Sequence, residues 1–161
     1  RYIMSKSKVE LTLEGQKKFK EELEYLKNVK RKENIIALQE ARSQGDLSEN
    51  AEYDAARDEQ AQIEARIVQL ENILKNATII QSDNTDSITI GKEVVFKVYP
   101  EGDEECYHIV GSEEADPFNG KISINSPVAQ ALVGHKTADI VEISTPSGSY
   151  KIQIVDVLIR N

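Results

Sequence analysis

Two stretches of three-to-four apolar spacing dominate the first half of the chain, and short runs rich in β-branched residues dominate the second. In the first stretch Phe19, Leu23, Leu26 and Val29 recur at helical spacing, and Ile35, Ile36 and Leu38 carry the apolar stripe onward. Thr12 is placed to cap this helix and Glu14 falls in its first turn, near the positive end of the helix dipole. No proline interrupts it before Gly45, so the pattern predicts one helix from about Leu13 to Ser43, roughly 45 Å long. In the second stretch Ile63, Ile67, Leu70, Leu74 and Ala77 step by four, three, four and three, the seam of a coiled coil. A short connection forces two such helices antiparallel, and neither stripe can be buried without the other.

Helical patterning fails after Ala77, where Thr78, Ile79 and Ile80 follow. The segment from Ser82 to Ser87 is polar and reads as a linker. Beyond it, strands are predicted at Ile88–Ile90, Val94–Tyr99, Cys106–Val110, Lys121–Asn125, Asp139–Ser144 and Tyr150–Ile159, with turns at Pro100–Gly102 and Pro146–Gly148. One short helix interrupts them: Ser126 can cap it, Pro127 suits its first position, and Gly134 can close it. The expected fold class is therefore α+β, a long antiparallel helical hairpin over residues 4–80 followed by an antiparallel-sheet domain over residues 81–161. The two parts share no periodicity and are different modules.

Composition narrows the functions available. The chain has 161 residues, with 39% hydrophobic and 30% charged residues and a net charge of −8. An elongated helical part with little interior accounts for the charge surplus, and the acidic balance argues against general binding to duplex DNA. No apolar run of about 20 residues predicts a membrane span, and a cytoplasmic location is expected. Arg1, Tyr2 and Ile3 precede Met4 and are set aside as a non-native remnant. The single cysteine, Cys106, excludes an internal disulfide and a four-cysteine zinc site, and its strand-like surroundings predict a small buried residue. Cys106, His108 and His135 form no metal or catalytic pattern, and no Gly-rich phosphate loop or nucleophile elbow is present.

The chemistry concentrates between the two helices, from Ala41 to Arg57. Asp46, Glu49 and Glu52 recur every three residues, which places their carboxylates on neighbouring turns of one helix face. Asp46 and Glu49 fit a capping box, and equally fit a set of hard oxygen ligands for Mg²⁺ projecting from the hairpin tip. Both uses are compatible. Two carboxylates cannot complete a Mg²⁺ site, and an acidic tip repels phosphate, so any action on a polyanion needs further ligands from a partner. Arg42 and Arg57 flank the tip, either as surface salt-bridge partners or as cations that orient the acids or touch phosphate. Asn50 and Tyr53 lie on the same turn, and Tyr53 is either packing at the hairpin end or a stacking surface for a base. The basic run Lys27, Lys30, Arg31 and Lys32 reads as a solvated face.

Gly45-Asp-Leu-Ser-Glu-Asn-Ala-Glu-Tyr53, continued by Asp-Ala-Ala-Arg57, resembles the tip signature of the bacterial Gre transcript cleavage factors. Ile124-Asn-Ser-Pro-Val-Ala-Gln-Ala-Leu-Val-Gly134 resembles the C-terminal signature of the same family, and with Leu13-Glu-Gly15 the resemblance runs from about Val9 to the end. It implies a coiled-coil hairpin followed by an FKBP-like domain. It further implies a monomer that binds RNA polymerase at the rim of its secondary channel and reaches the active centre and the nascent RNA 3′ end. Asp46 and Glu49 would then share Mg²⁺ with the polymerase, with no cofactor of the factor's own. Arg42, Asn50, Tyr53 and Arg57 would support the tip or contact RNA, and Asn125, Ser126 and Pro127 would grip the rim. Such a protein assists an enzyme and is not one itself. A relative serving longer backtracked RNA would carry a larger basic patch, whereas helix two beyond Arg57 offers only Arg66 and Lys75. An inhibitor of the same architecture would not need the Asp-x-x-Glu tip. A structural coiled-coil adaptor would require the tip match to be coincidence.

Overall fold

The computed structural model describes residues 9–44, 47–81, 83 and 85–159, with the backbone alone at residues 44 and 47–50. These residues form two compact units, Lys17–Asn76 and a second made of residues 9–16 with residues 77–159.

The first unit is the hairpin. Its first arm is α1 (Leu13–Tyr25), a π turn (Leu26–Lys30) and α2 (Arg31–Gln44), and its second is α3 (Leu47–Asn76). The expected single helix is thus continuous but carries one wide turn, which adds a residue to the repeat and rotates the positions beyond it. The rotation corrects the expected stripe in part: Ile35 and Ile36 are 44% and 54% exposed, while Asn34 and Ala41 are buried and Ala37 and Leu38 are half-buried. On α3 the seam is Ala56, Ile63, Ile67, Leu70 and Ile73, all buried, with Leu74 half-buried. The basic run is likewise not a plain solvated face. Lys27 meets Glu71 at 2.8 Å, Arg31 meets Glu64 at 2.7 Å and Lys30 approaches Glu59 at 3.8 Å, while Arg66 of α3 reaches back to Glu22 of α1 at 2.8 Å. These pairs flank the buried seam.

The second unit holds two sheets. Strands β1 (Val9–Leu11) and β2 (Ala77–Ile79) pair in parallel, a pairing invisible to local pattern because the partners lie far apart in sequence. The larger sheet contains β3 (Lys92–Val98), β4 (Glu104–Val110), β5 (Lys121–Ser123), β6 (Ile140–Thr145) and β7 (Gly148–Ile159), in the order β5-β4-β3-β7-β6. It is not wholly antiparallel as expected: β5 joins β4 in parallel, returning through short turns at Ser112–Glu114 and Pro117–Asn119. Helix α4 (Pro127–Leu132) packs on one face, and Val94, Phe96, Ile109, Leu132, Val141, Ile143, Ile152 and Ile154 make the core. Ile88–Ile90 is not a strand. Ile88 is fully buried, but its backbone bonds the loop after α4, donating to the His135 carbonyl at 2.8 Å and accepting from Gly134 at 3.0 Å. Cys106, expected to be buried, is exposed, because its side of β4 faces away from the core.

Two polar clasps order this unit. The Glu114 carboxylate accepts from the Thr12 amide at 2.8 Å and the Thr12 hydroxyl at 2.5 Å, while the Thr12 hydroxyl caps α1 by accepting from Gly15 at 3.0 Å. The chains come so close here that a Cβ on Gly111 would stand 1.8 Å from the Glu10 carbonyl oxygen, so no side chain fits. The Lys92 side chain is fully buried, and its ammonium donates to Asp83 Oδ1 at 3.0 Å and to the carbonyls of Thr85 and Ser87 at 2.6 and 2.9 Å. A buried charge without such partners would be strongly destabilising, so this set fixes the linker onto the sheet.

Candidate functional site: the distal end of the hairpin

Near the turn, α2 and α3 are held by three side chains. Arg42 at the end of α2 donates to the Tyr53 hydroxyl at 3.0 Å, and Arg57, one turn beyond Tyr53 on α3, donates to the same oxygen at 3.2 Å. Both guanidiniums also lie against the ring, 5.6 and 6.0 Å from its centroid. Hydrogen bonding from Arg42, then from Arg57, holds the Tyr53 phenol below its usual pKa. The cluster lines a cleft of about 210 Å³ with Ile35, Leu38, Gln39 and Gln60. Cations, amides, an aromatic edge and two aliphatic side chains in one cleft suit a ligand with both an anionic and a flat apolar part.

The expected residues are thereby placed unequally. Arg42, Tyr53 and Arg57 come together. Asp46 lies outside the described residues. Glu49 and Asn50 sit on the first turn of α3 by their backbone, and their side chains lie outside the described ones. Glu52 is exposed two turns before Glu59 on α3. Gln39 and Gln60 escaped sequence reasoning, although their positions three residues before Arg42 and three after Arg57 carry the needed helical signal.

Asn125, Ser126 and Pro127 belong to the other unit. Ser126 is an N-cap in extended conformation, accepting from the Ala129 amide at 3.2 Å, and Pro127 opens α4. Asn125 is exposed; its amide nitrogen donates to Ser112 at 2.8 Å, and Ser112 in turn bonds Ser123 at 2.9 Å. The three residues form a stiff polar corner ahead of a short helix. Among the described residues no group of three or more His, Cys, Asp or Glu side chains is arranged to hold a metal. No described helix is long and apolar enough to cross a membrane.

A long hairpin with a cationic-aromatic cleft near its turn, joined in sequence to a curled mixed sheet, defines a class of two-unit proteins. Residues 9–79 match the family described as transcription elongation factor, N-terminal, and residues 82–159 match the C-terminal part of the GreA/GreB transcription elongation factors. The chain is 54% identical over 149 residues to transcription elongation factor GreA of Geobacillus kaustophilus, covering 91% of this chain and 94% of that one. The GreA of Bacillus anthracis is equally similar, at 54% over 149 residues with the same coverage. Among solved structures, GreA factor homolog 1 of Thermus thermophilus is similar at 31% identity, covering 93% of this chain and 98% of that one with a TM-score of 0.44. The chain belongs to the GreA/GreB family of transcription elongation factors.

Proposed function

We propose that this elongation factor enters the secondary channel of RNA polymerase with its hairpin and stimulates the polymerase's own cleavage of backtracked RNA, releasing arrested complexes. The reading is carried by one juxtaposition: the Gly45-Asp-Leu-Ser-Glu49 signature stands immediately between Arg42 and Tyr53, whose cleft suits a nucleotide. Asp46 and Glu49 supply carboxylate oxygens to a Mg²⁺ site that the polymerase's active centre otherwise holds. Mg²⁺ held there would supply Lewis-acid chemistry, with one ion of a two-metal pair serving the attacking water and the other the leaving oxygen. Arg42 and Arg57 bind phosphate of the RNA 3′ segment, and Tyr53, fixed by both, offers an edge to a base. Asn125, Ser126 and Pro127 contact the channel rim. The factor acts as a soluble monomer in the cytoplasm and completes an active site without having one.

The test is a transcript-cleavage assay on stalled polymerase over a Mg²⁺ series at saturating factor. Asp46→Asn and Glu49→Gln should each cut the cleavage rate about tenfold or more while melting curves stay near wild type, since Asn remains a good cap. Wild-type cleavage by the double variant would leave only the capping box. Factor alone with Mg²⁺ should leave RNA intact. Ser126→Glu should weaken polymerase binding without unfolding the hairpin, and unchanged affinity in a titration would remove the rim contact.

A further inference from the structure

Among the described residues of the hairpin, Asn34 is the one polar side chain withdrawn from water, at 3% exposure. Its amide nitrogen crosses the seam and donates to the Ala56 carbonyl at 2.9 Å and to the Glu59 carboxylate at 3.2 Å. On one side of it Arg31 pairs with Glu64 at the flank; towards the tip the seam is shallow. Ala37 and Ala41 on α2 and Ala56 on α3 form the adjoining seam, and alanines of equal size pack almost as well one step out of place.

The need for a fixed setting comes from upstream. The π turn at Leu26–Lys30, closed by the Arg31 amide on the Leu26 carbonyl, holds one extra residue within the first arm. A π turn can move along a helix by exchanging one hydrogen bond for the next, and each step turns the residues it passes by about 100° around the axis. Asn34 lies just beyond it, and its two bonds form only when it faces Ala56. Roughly two turns further along α2 stands Arg42, whose bond to Tyr53 is the cross-helix part of the distal cluster. Arg57 shares a helix with Tyr53 and is indifferent to the setting of α2.

We infer that Asn34 is a positioning residue: by bonding Ala56 and Glu59 it fixes the rotation and register of α2 beyond the π turn, and so holds Arg42 over Tyr53 beside the tip. A polar side chain in an otherwise apolar seam sets register at a cost in stability. Its consequence for cleavage rests on the function proposed above; its consequence for Tyr53 does not.

Asn34→Val removes both donors at similar size, Asn34→Ala does so with less bulk should Val not be accommodated, and Glu59→Gln keeps an acceptor in place. Three readouts separate the roles: the titration of the Tyr53 ring followed by NMR on ¹³C-tyrosine protein and assigned with Tyr53→Phe, the melting curve, and cleavage at saturating factor against the half-saturating concentration. In Asn34→Val the melting temperature should hold or rise, Tyr53 should titrate closer to an ordinary phenol as the Arg42 bond is lost, and maximal cleavage should fall at least about threefold with half-saturation within about twofold. Glu59→Gln should keep the wild-type Tyr53 titration. Wild-type Tyr53 titration in both Asn34 variants would overturn the register role, and a shifted Tyr53 with undiminished maximal cleavage would overturn the positioning role. Failure of the wild-type protein to stimulate cleavage would instead sink the proposed function, leaving the Tyr53 titration to decide the register.

Discussion

The hairpin and the sheet unit solve the burial problem in opposite ways. The sheet unit surrounds Phe96, Leu132, Ile152 and Ile154 on several sides, so most of its burial is apolar contact, with the Glu114 and Lys92 clasps at its margins. The hairpin has only a seam, apolar from Ile63 to Ile73 and, towards the tip, buried only at Asn34, Ala41 and Ala56 with Leu38 half-buried, and with ion pairs along its flanks. A seam of that kind sacrifices stability for slenderness and a charged exterior. Where a protein must present a thin, polar probe, the mass that resists unfolding has to be kept elsewhere in the chain.

The contrast can be tested, and the largest effect belongs to the sheet unit. Leu132→Ala empties a fully buried site and should cost about 2–5 kcal/mol in denaturant unfolding, whereas Ala41→Ser in the distal seam should cost well under half of that. Equal losses would mean that burying a hydroxyl in the distal seam is as unfavourable as emptying the core. Ser126→Ala removes the cap of α4 and should cost about 1 kcal/mol, measured the same way. A smaller effect is expected at the flanks: Arg31→Gln should cost less than Ser126→Ala, and the loss should shrink as salt is raised. A salt-independent loss would assign Arg31 a packing role instead.

Acid should separate the units with the smallest effects of all. Bonding from Arg31 lowers the Glu64 carboxyl, and bonding from Thr85, then Lys92, lowers Asp83 to about 2. A depressed carboxyl favours the fold above its unfolded pKa, and the contribution disappears as pH falls through the folded value. Glu64 should therefore begin to weaken the hairpin below its ordinary value of 4.5, and Asp83 should loosen the linker over the window from 3.8 to about 2. Residue-resolved NMR across that range should show α2 and α3 amides responding before those of residues 85–92. The reverse order would refute the assignment.

Much of this was readable in the residues. Both arms of the hairpin, Thr12 as a cap, α4 with Ser126 and Pro127, and five of the predicted strands follow from periodicity and capping chemistry that act over a few positions. What pattern could not supply were features set by distant partners. The β1–β2 pair joins residues on either side of the hairpin, Ile88 is buried through a loop rather than a ladder, and Cys106 faces outward because of the sheet face it fell on. The π turn is similarly hidden, since one added residue leaves every neighbouring spacing helical while moving Ile35 and Ile36 out and Asn34 in. At the site, sequence placed Arg42, Tyr53 and Arg57 about the turn, but not the convergence of both guanidiniums on one phenol oxygen, which depends on how α2 and α3 face each other.

The Thr12–Glu114 clasp and the β1–β2 pair together make the hairpin an excursion from a unit that opens before it and closes after it. A fragment begun at residue 81 would lack β1 and leave Glu114 without its two donors, so the sheet unit is not a module that can be cut out by following the sequence boundary. The hairpin, by contrast, leaves and returns at one doorway, between Gln16 and Lys17 and between Asn76 and Ala77. A hairpin exchanged between those two junctions should therefore leave the β1–β2 pair and the Thr12–Glu114 clasp in place, provided α1 runs on unbroken across the first of them.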